Sequence, residues 1–195
     1  MLYTLALFAH IVGVLGIFVG ISFGWVNILR LRRAQTIAQV RAETSLTGVQ
    51  QRLFPIAALV LLLAGIYMTV TTWGWGTPWI LLSLAALIVM GVLGGAVSGR
   101  RLTTIRKAAA EDASSAISPE LQRLIADPVL LISIQTALLI GLGVVFLMTM
   151  KPDWTGSLIT LGVAVVLGVV SAQPWRRPAE VRARVQEAQA SSARN

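Results

Sequence analysis

The 195-residue chain has no cysteine and one histidine, His10. Without cysteine there is no disulfide, thiolate metal centre, iron–sulfur cluster or catalytic thiol. One imidazole per chain excludes a His-rich zinc site and a bis-histidine haem within a single copy. Charge is sparse as well: 12% of the residues are charged, about half of what coats a soluble domain. Eight residues are acidic, and none falls inside the long apolar runs. A carboxylate proton relay, a two-carboxylate hydrolase and a di-metal site within the membrane therefore have no ligands. Neither a P-loop nor a strand-borne glycine turn for a dinucleotide is present.

What the chain has in excess is apolar sequence, 56% of residues, with a mean hydropathy of +0.78. Five runs carry no Asp, Glu, Lys or Arg: 2–29, 55–72, 78–98, 128–150 and 155–172. They are 28, 18, 21, 23 and 18 residues long, and about 18 apolar residues suffice to cross a hydrocarbon core as a helix. Their Leu, Ala, Val, Ile and Gly mixture has no polar alternation, which selects helices over a barrel. The expected fold is an all-α polytopic membrane bundle of five transmembrane helices. Residues 1–175 form the membrane domain and residues 176–195 a basic tail. The first run has no basic n-region and no Ala-x-Ala cleavage site, so it is read as a retained helix.

A net charge of +8 would suggest nucleic acid for a soluble protein, but here the cations lie between spans and the expected partner is the lipid bilayer. Fifteen of the sixteen basic residues fall in residues 30–54, residues 99–127 and the tail. The connections at 73–77 and 151–154 hold only Lys151. The positive-inside rule then puts the N-terminus outside and the C-terminus in the cytoplasm. Trp73, Trp75, Trp79 and Trp154 gather at the opposite rim and are expected to anchor it as an aromatic belt. Between spans, Ile28 to Ala42 is expected to continue the first helix, with a turn at Thr44 to Gly48. Ser118-Pro119-Glu120 has the pattern of a helix start, and Asp127-Pro128 that of a break or second start. Residues 178–194 read as a weak helix or a solvated tail held near anionic lipid.

Helices in lipid associate through small residues. Gly16, Gly20 and Gly24 recur every four residues in the first run, with Gly13 near the same line, so this glycine-zipper face is expected to set the first helix at the centre of the bundle. The spacing fits contact within one chain, a homo-oligomer seam or another membrane protein.

His10 edges this face, roughly 12 Å along the helix from its outer end. At that depth an imidazole is either neutral and hydrogen-bonded to a hydroxyl or carbonyl, or a ligand to a metal or haem. Met68, Met148 and Met150, with Tyr67 and Ser83, map to the same outer half. Thioethers with an imidazole suit Cu(I), whereas methionine alone is an adaptable core filler.

Several segments carry a family likeness: Leu2-Tyr3, Ala9-His10-Ile11, Arg52-Leu53-Phe54-Pro55, Gly76-Thr77-Pro78-Trp79, and Val145 to Pro152. Together they resemble predicted integral membrane proteins of unknown function found in bacteria, a group similar in layout to the copper-resistance D (CopD) membrane proteins. The resemblance covers residues 1 to about 152, with the fifth span as an extension. It implies that His10 is the family-like first-span histidine, and its distant relatives imply copper handling. The haem-associated membrane oxidases of porphyrin synthesis also use a first-span histidine, with polar partners that this chain does not match. Two functional readings result: a non-enzymatic accessory or structural membrane protein, or a copper- or haem-handling protein using His10.

Overall fold

The structure is a computed structural model that describes residues 1–112 and 116–173, with the backbone alone for 46–52. The tail at 176–195 and Trp175 lie outside the described residues. Among the described residues seven α-helices follow one another: α1 (Leu2–Arg33), α2 (Ile37–Met68), α3 (Pro78–Gly91), α4 (Arg100–Glu111), α5 (Pro119–Ala126), α6 (Pro128–Met150) and α7 (Trp154–Ser171). A π-helical turn, Thr69–Trp73, ends α2, and a π-helical segment, Val92–Gly99, joins α3 to α4 without a break. Five stretches are long and apolar enough to span a membrane. The described residues contain no strand, only an isolated bridge between Thr36 and Ala116. The protein is an all-α polytopic bundle, as expected.

Short polar side chains set the helix starts. Ser118 accepts from the Leu121 amide, and Asp127 accepts from the Val129 amide at 2.9 Å, each just before a proline in the first helical turn. Asp153 does the same for α7 through the Gly156 amide at 2.8 Å. These acceptors satisfy amides that a helix start leaves without partners. The turn after α1 departs from expectation. The chain extends at Ala34, and Thr36 caps α2 by accepting from the Gln39 amide. The stretch expected to turn, Thr44 to Gly48, is therefore helical. A threonine cap next to an extended residue outweighs the helix-forming composition on either side of it.

The bundle's centre is α6 rather than α1. Half of the apolar span of α6 is buried, against 28% for α1. α1, α3 and α7 all pack on α6, whereas the first half of α1 turns Leu5, Phe8, Val12 and Leu15 to the outside of the bundle. Two seams are close-fitted. Along α1 and α2, a Cβ on Gly13 would lie within 2.9 Å of Leu61 N, Cα and Cβ, and one on Gly16 would lie 2.9 Å from the Ala57 Cβ. Along α6 and α7, a Cβ on Gly168 would lie 2.6 Å from the Thr136 Cα. Gly20 differs, because nothing lies within 4 Å of where its Cβ would be. Gly24 is buried.

The end carrying the basic connections is tied by arginines. Arg101 Nε meets Asp127 Oδ2 at 2.7 Å, and Arg32 donates to the Asp127 carbonyl at 2.9 Å. Arg41 donates to the Ala109 carbonyl at 2.8 Å and the Asp112 carbonyl at 2.9 Å, where α4 leaves its last acceptors exposed. Within the bundle, the hydroxyls of Ser98 and Ser133 hydrogen-bond at 2.7 Å.

These fits separate the glycines of α1 by consequence. Gly13→Ala forces the α1–α2 backbones apart and should cost about 1–3 kcal/mol, lowering the thermal midpoint in detergent. Gly20→Ala meets no atom and should leave that midpoint unchanged or slightly raised. Equal midpoints for the two variants would contradict the seam.

Candidate functional site

The site grows from the α1–α2 seam. Gly65 on α2 leaves room for the His10 ring, whose Nδ1 and Cε1 lie 3.3 Å from where a Gly65 Cβ would stand. The ring is thereby drawn against α2, and Nδ1 lies 3.0 Å from the Leu61 carbonyl oxygen. A carbonyl only accepts, so Nδ1 carries the hydrogen and donates it. In a neutral ring this tautomer leaves a lone pair on Nε2, which has no donor among the described residues. Of the partners expected for this imidazole, a hydroxyl, a carbonyl or a bound ligand, the structure shows a carbonyl at Nδ1.

His10 lines a cavity of about 510 Å³. The chamber lies at the end of the bundle away from the arginines, enclosed by α1, α2, α3 and α6. One face of α3 supplies Trp79, Ser83, Leu87 and Met90, spaced four, four and three residues apart as a helix face requires. Ser83 is 4% exposed, and its hydroxyl has no hydrogen-bond partner among the described residues. The chamber therefore holds two unspent polar atoms, an acceptor at His10 Nε2 and a hydroxyl at Ser83.

Its outer edge is aromatic and cationic. Trp73 and Trp79 meet edge to face with ring centroids 5.4 Å apart, and the Lys151 ammonium sits 4.0 Å from the Trp73 ring centre. Lys151 ends α6 with φ of 50°, in the left-handed region, which aims the chain back toward α7. Trp73, Trp75 and Trp154 are partly exposed, as a belt requires, but Trp79 is 7% exposed and forms wall instead. Its place in the first turn of α3, one residue after Pro78, turns the indole inward.

Of the methionines singled out from the sequence, Met68 and Met148 line the chamber with His10. Met150 is 66% exposed and, like Tyr67, lies outside the wall. Met90, at mid-span and outside that set, forms part of the inner wall. No three His, Asp or Glu side chains come together among the described residues. Sequence reasoning missed Lys151 as a chamber residue because a left-handed lysine has no sequence signal. Trp79 and Met90 were within reach, since they share a face with Ser83 at helical spacing.

Residues 4–152 match the model of a family described as predicted integral membrane protein, DUF2269. The chain belongs to that family. It is accordingly a multi-pass integral membrane protein whose environment is the lipid bilayer. The DUF2269 region contains His10, Ser83, Met68, Met148 and Lys151, and it stops where α6 ends, leaving α7 outside. No curated protein and no solved structure matches the chain.

With one histidine, the tautomer is directly measurable. In ¹⁵N NMR of histidine-labelled protein, Nδ1 should give a pyrrole-type signal and Nε2 a pyridine-type signal. The reversed assignment, with Nδ1 unprotonated, would contradict the geometry.

Proposed function

We propose that this DUF2269 protein is a non-enzymatic binding protein of the bacterial inner membrane, and that its chamber takes haem through His10. The observation that carries the reading is the uncommitted Nε2 lone pair opening on a chamber of about 510 Å³. That volume lies within the usual range for small-molecule and cofactor sites, about 300–1,000 Å³. An imidazole whose Nδ1–H is held by a backbone carbonyl is oriented and made more basic, as ligating histidines are. The walls are aliphatic and aromatic, suited to a porphyrin face. The Lys151 ammonium at the rim supplies the counter-charge for propionate groups. Iron takes an axial imidazole in many haem proteins, and the polarity of the surrounding pocket tunes its reactivity.

A second reading is Cu(I) handling, in line with the CopD-like layout. It is favoured by Met68 and Met148, which share the chamber with His10 and offer soft thioethers beside the imidazole. In both readings His10 is the indispensable ligand. The chamber faces the outside in the topology that the arginine distribution supports, with N-terminus out and C-terminus in the cytoplasm.

Haem titration of the purified protein should give a shifted Soret band that His10→Ala abolishes. Stoichiometric Cu(I) with no Soret shift, lost in His10→Ala and weakened in Met148→Leu, would replace haem by copper. Equal behaviour of wild type and His10→Ala toward both ligands would overturn the site. The cysteine-free chain also permits clean topology mapping. A cysteine placed at Gly76 should react with an impermeant thiol reagent in intact cells, and one at Lys107 should react only after lysis; the opposite pattern would invert the topology.

A further inference from the structure

A second space opens on the other side of the chamber's inner wall. It is a cleft of about 980 Å³ between α2 and the continuous α3–π–α4 helix. Leu62, Leu84, Leu87 and Met90 line both spaces and separate them. The cleft exists because α2 and α3, though consecutive spans, are not packed along each other as α1 and α2 are. Its walls are Phe54, Pro55 and Ala58 on one side and Gly91, Gly94 and Gly95 on the other. For each of those three glycines, nothing lies within 4 Å of where a Cβ would be. Gly94 and Gly95 belong to the π-helical segment, a backbone form often found at functional positions.

The basic end of the cleft carries charge complementarity for its occupant. Arg100 lines that end, beside Thr103 and Thr104. Neighbouring arginines are engaged, Arg101 on Asp127 and Arg41 on the α4 carbonyls. The Arg100 guanidinium makes no ion pair or hydrogen bond with a described residue. From Leu84 to Arg100 the helix rises about 24 Å, more than one leaflet of a hydrocarbon core roughly 30 Å thick. The shape is therefore an apolar slot, one leaflet or more in length, that ends at an unspent cation at headgroup level.

We propose that this cleft is a binding site for one anionic phospholipid, with an acyl chain along Gly91, Gly94 and Gly95 and the headgroup phosphate on Arg100. Basic pockets between transmembrane helices recognise anionic headgroups by this chemistry. A second copy of the chain is the poorer occupant. No acidic residue lies between Glu43 and Glu111, so the helices bordering the cleft bring no counter-charge. A two-fold axis along the membrane normal would set a second Arg100 at the same level. A zwitterionic lipid fills the slot equally well but brings a quaternary ammonium beside the guanidinium, so the site keeps its net positive charge.

The test is native mass spectrometry of protein released from nanodiscs holding equal phosphatidylglycerol and phosphatidylcholine. Wild type should retain one lipid, with phosphatidylglycerol preferred several-fold. Arg100→Gln should bring the two lipids near parity, whereas Arg106→Gln, a cation outside the cleft, should keep the preference. Gly91→Leu with Gly95→Leu should remove the retained lipid of either kind, and thermal unfolding reports whether that variant stays folded. Parity in wild type overturns the proposal. So does an equal loss of preference in Arg106→Gln, which would mean diffuse surface charge. A dimer mass that the glycine substitutions convert to monomer would assign the cleft to a second copy instead.

Discussion

Inside a bilayer, lipid tails compete with side chains for every apolar surface, so two helices stay together only where their backbones can come close. This constraint sorts the seams of the molecule. Gly13 and Gly16 let α1 onto α2, and Gly168 lets α7 onto α6, each without room for a Cβ. α2 and α3 have no such mutual fit, and they part. The chamber and the cleft both lie along that parting. The open space within the bundle is thus the complement of where its helices fit.

Polar groups obey a second rule, that each buried donor or acceptor needs a partner. At the basic end the rule is met with economy by Asp127. Its carboxylate caps α6 and pairs with Arg101, while its carbonyl receives Arg32. One residue thereby joins α1, α4 and α6 at the level where the chain leaves the hydrocarbon. At the opposite end His10 Nε2 and the Ser83 hydroxyl have no hydrogen-bond partner among the described residues.

Much of the fold was legible in the sequence because length and charge decide it. The five spans come from the uncharged runs, and the starts of α5 and α6 from Ser118-Pro119 and Asp127-Pro128. The turn after α1 was not legible, since a three-residue extension at Ala34 to Thr36 carries no proline or glycine. In the site, His10 could be singled out from its rarity and its position in the first apolar run. Its partner could not, because Leu61 contributes a carbonyl, which every residue has. The open face of Gly20 depends on how far α3 stands from α2, a tertiary outcome that no local pattern encodes.

The π-helical segment Val92–Gly99 also sets the phase of a 34-residue helix that runs from Pro78 to Glu111. A π-turn holds an extra residue relative to an α-turn, and each residue advances the helix by about 100°. Below the segment, Leu102, Ile105 and Ala109 face the core and Arg101 faces Asp127; above it, Trp79, Ser83 and Met90 face the chamber. The segment uncouples these two faces, so each half keeps its own azimuth on one rod. A single-residue gain or loss can be taken up there as a change of winding. In α1 or α6, where the winding is α throughout, the same change would swing every side chain beyond it to a new direction.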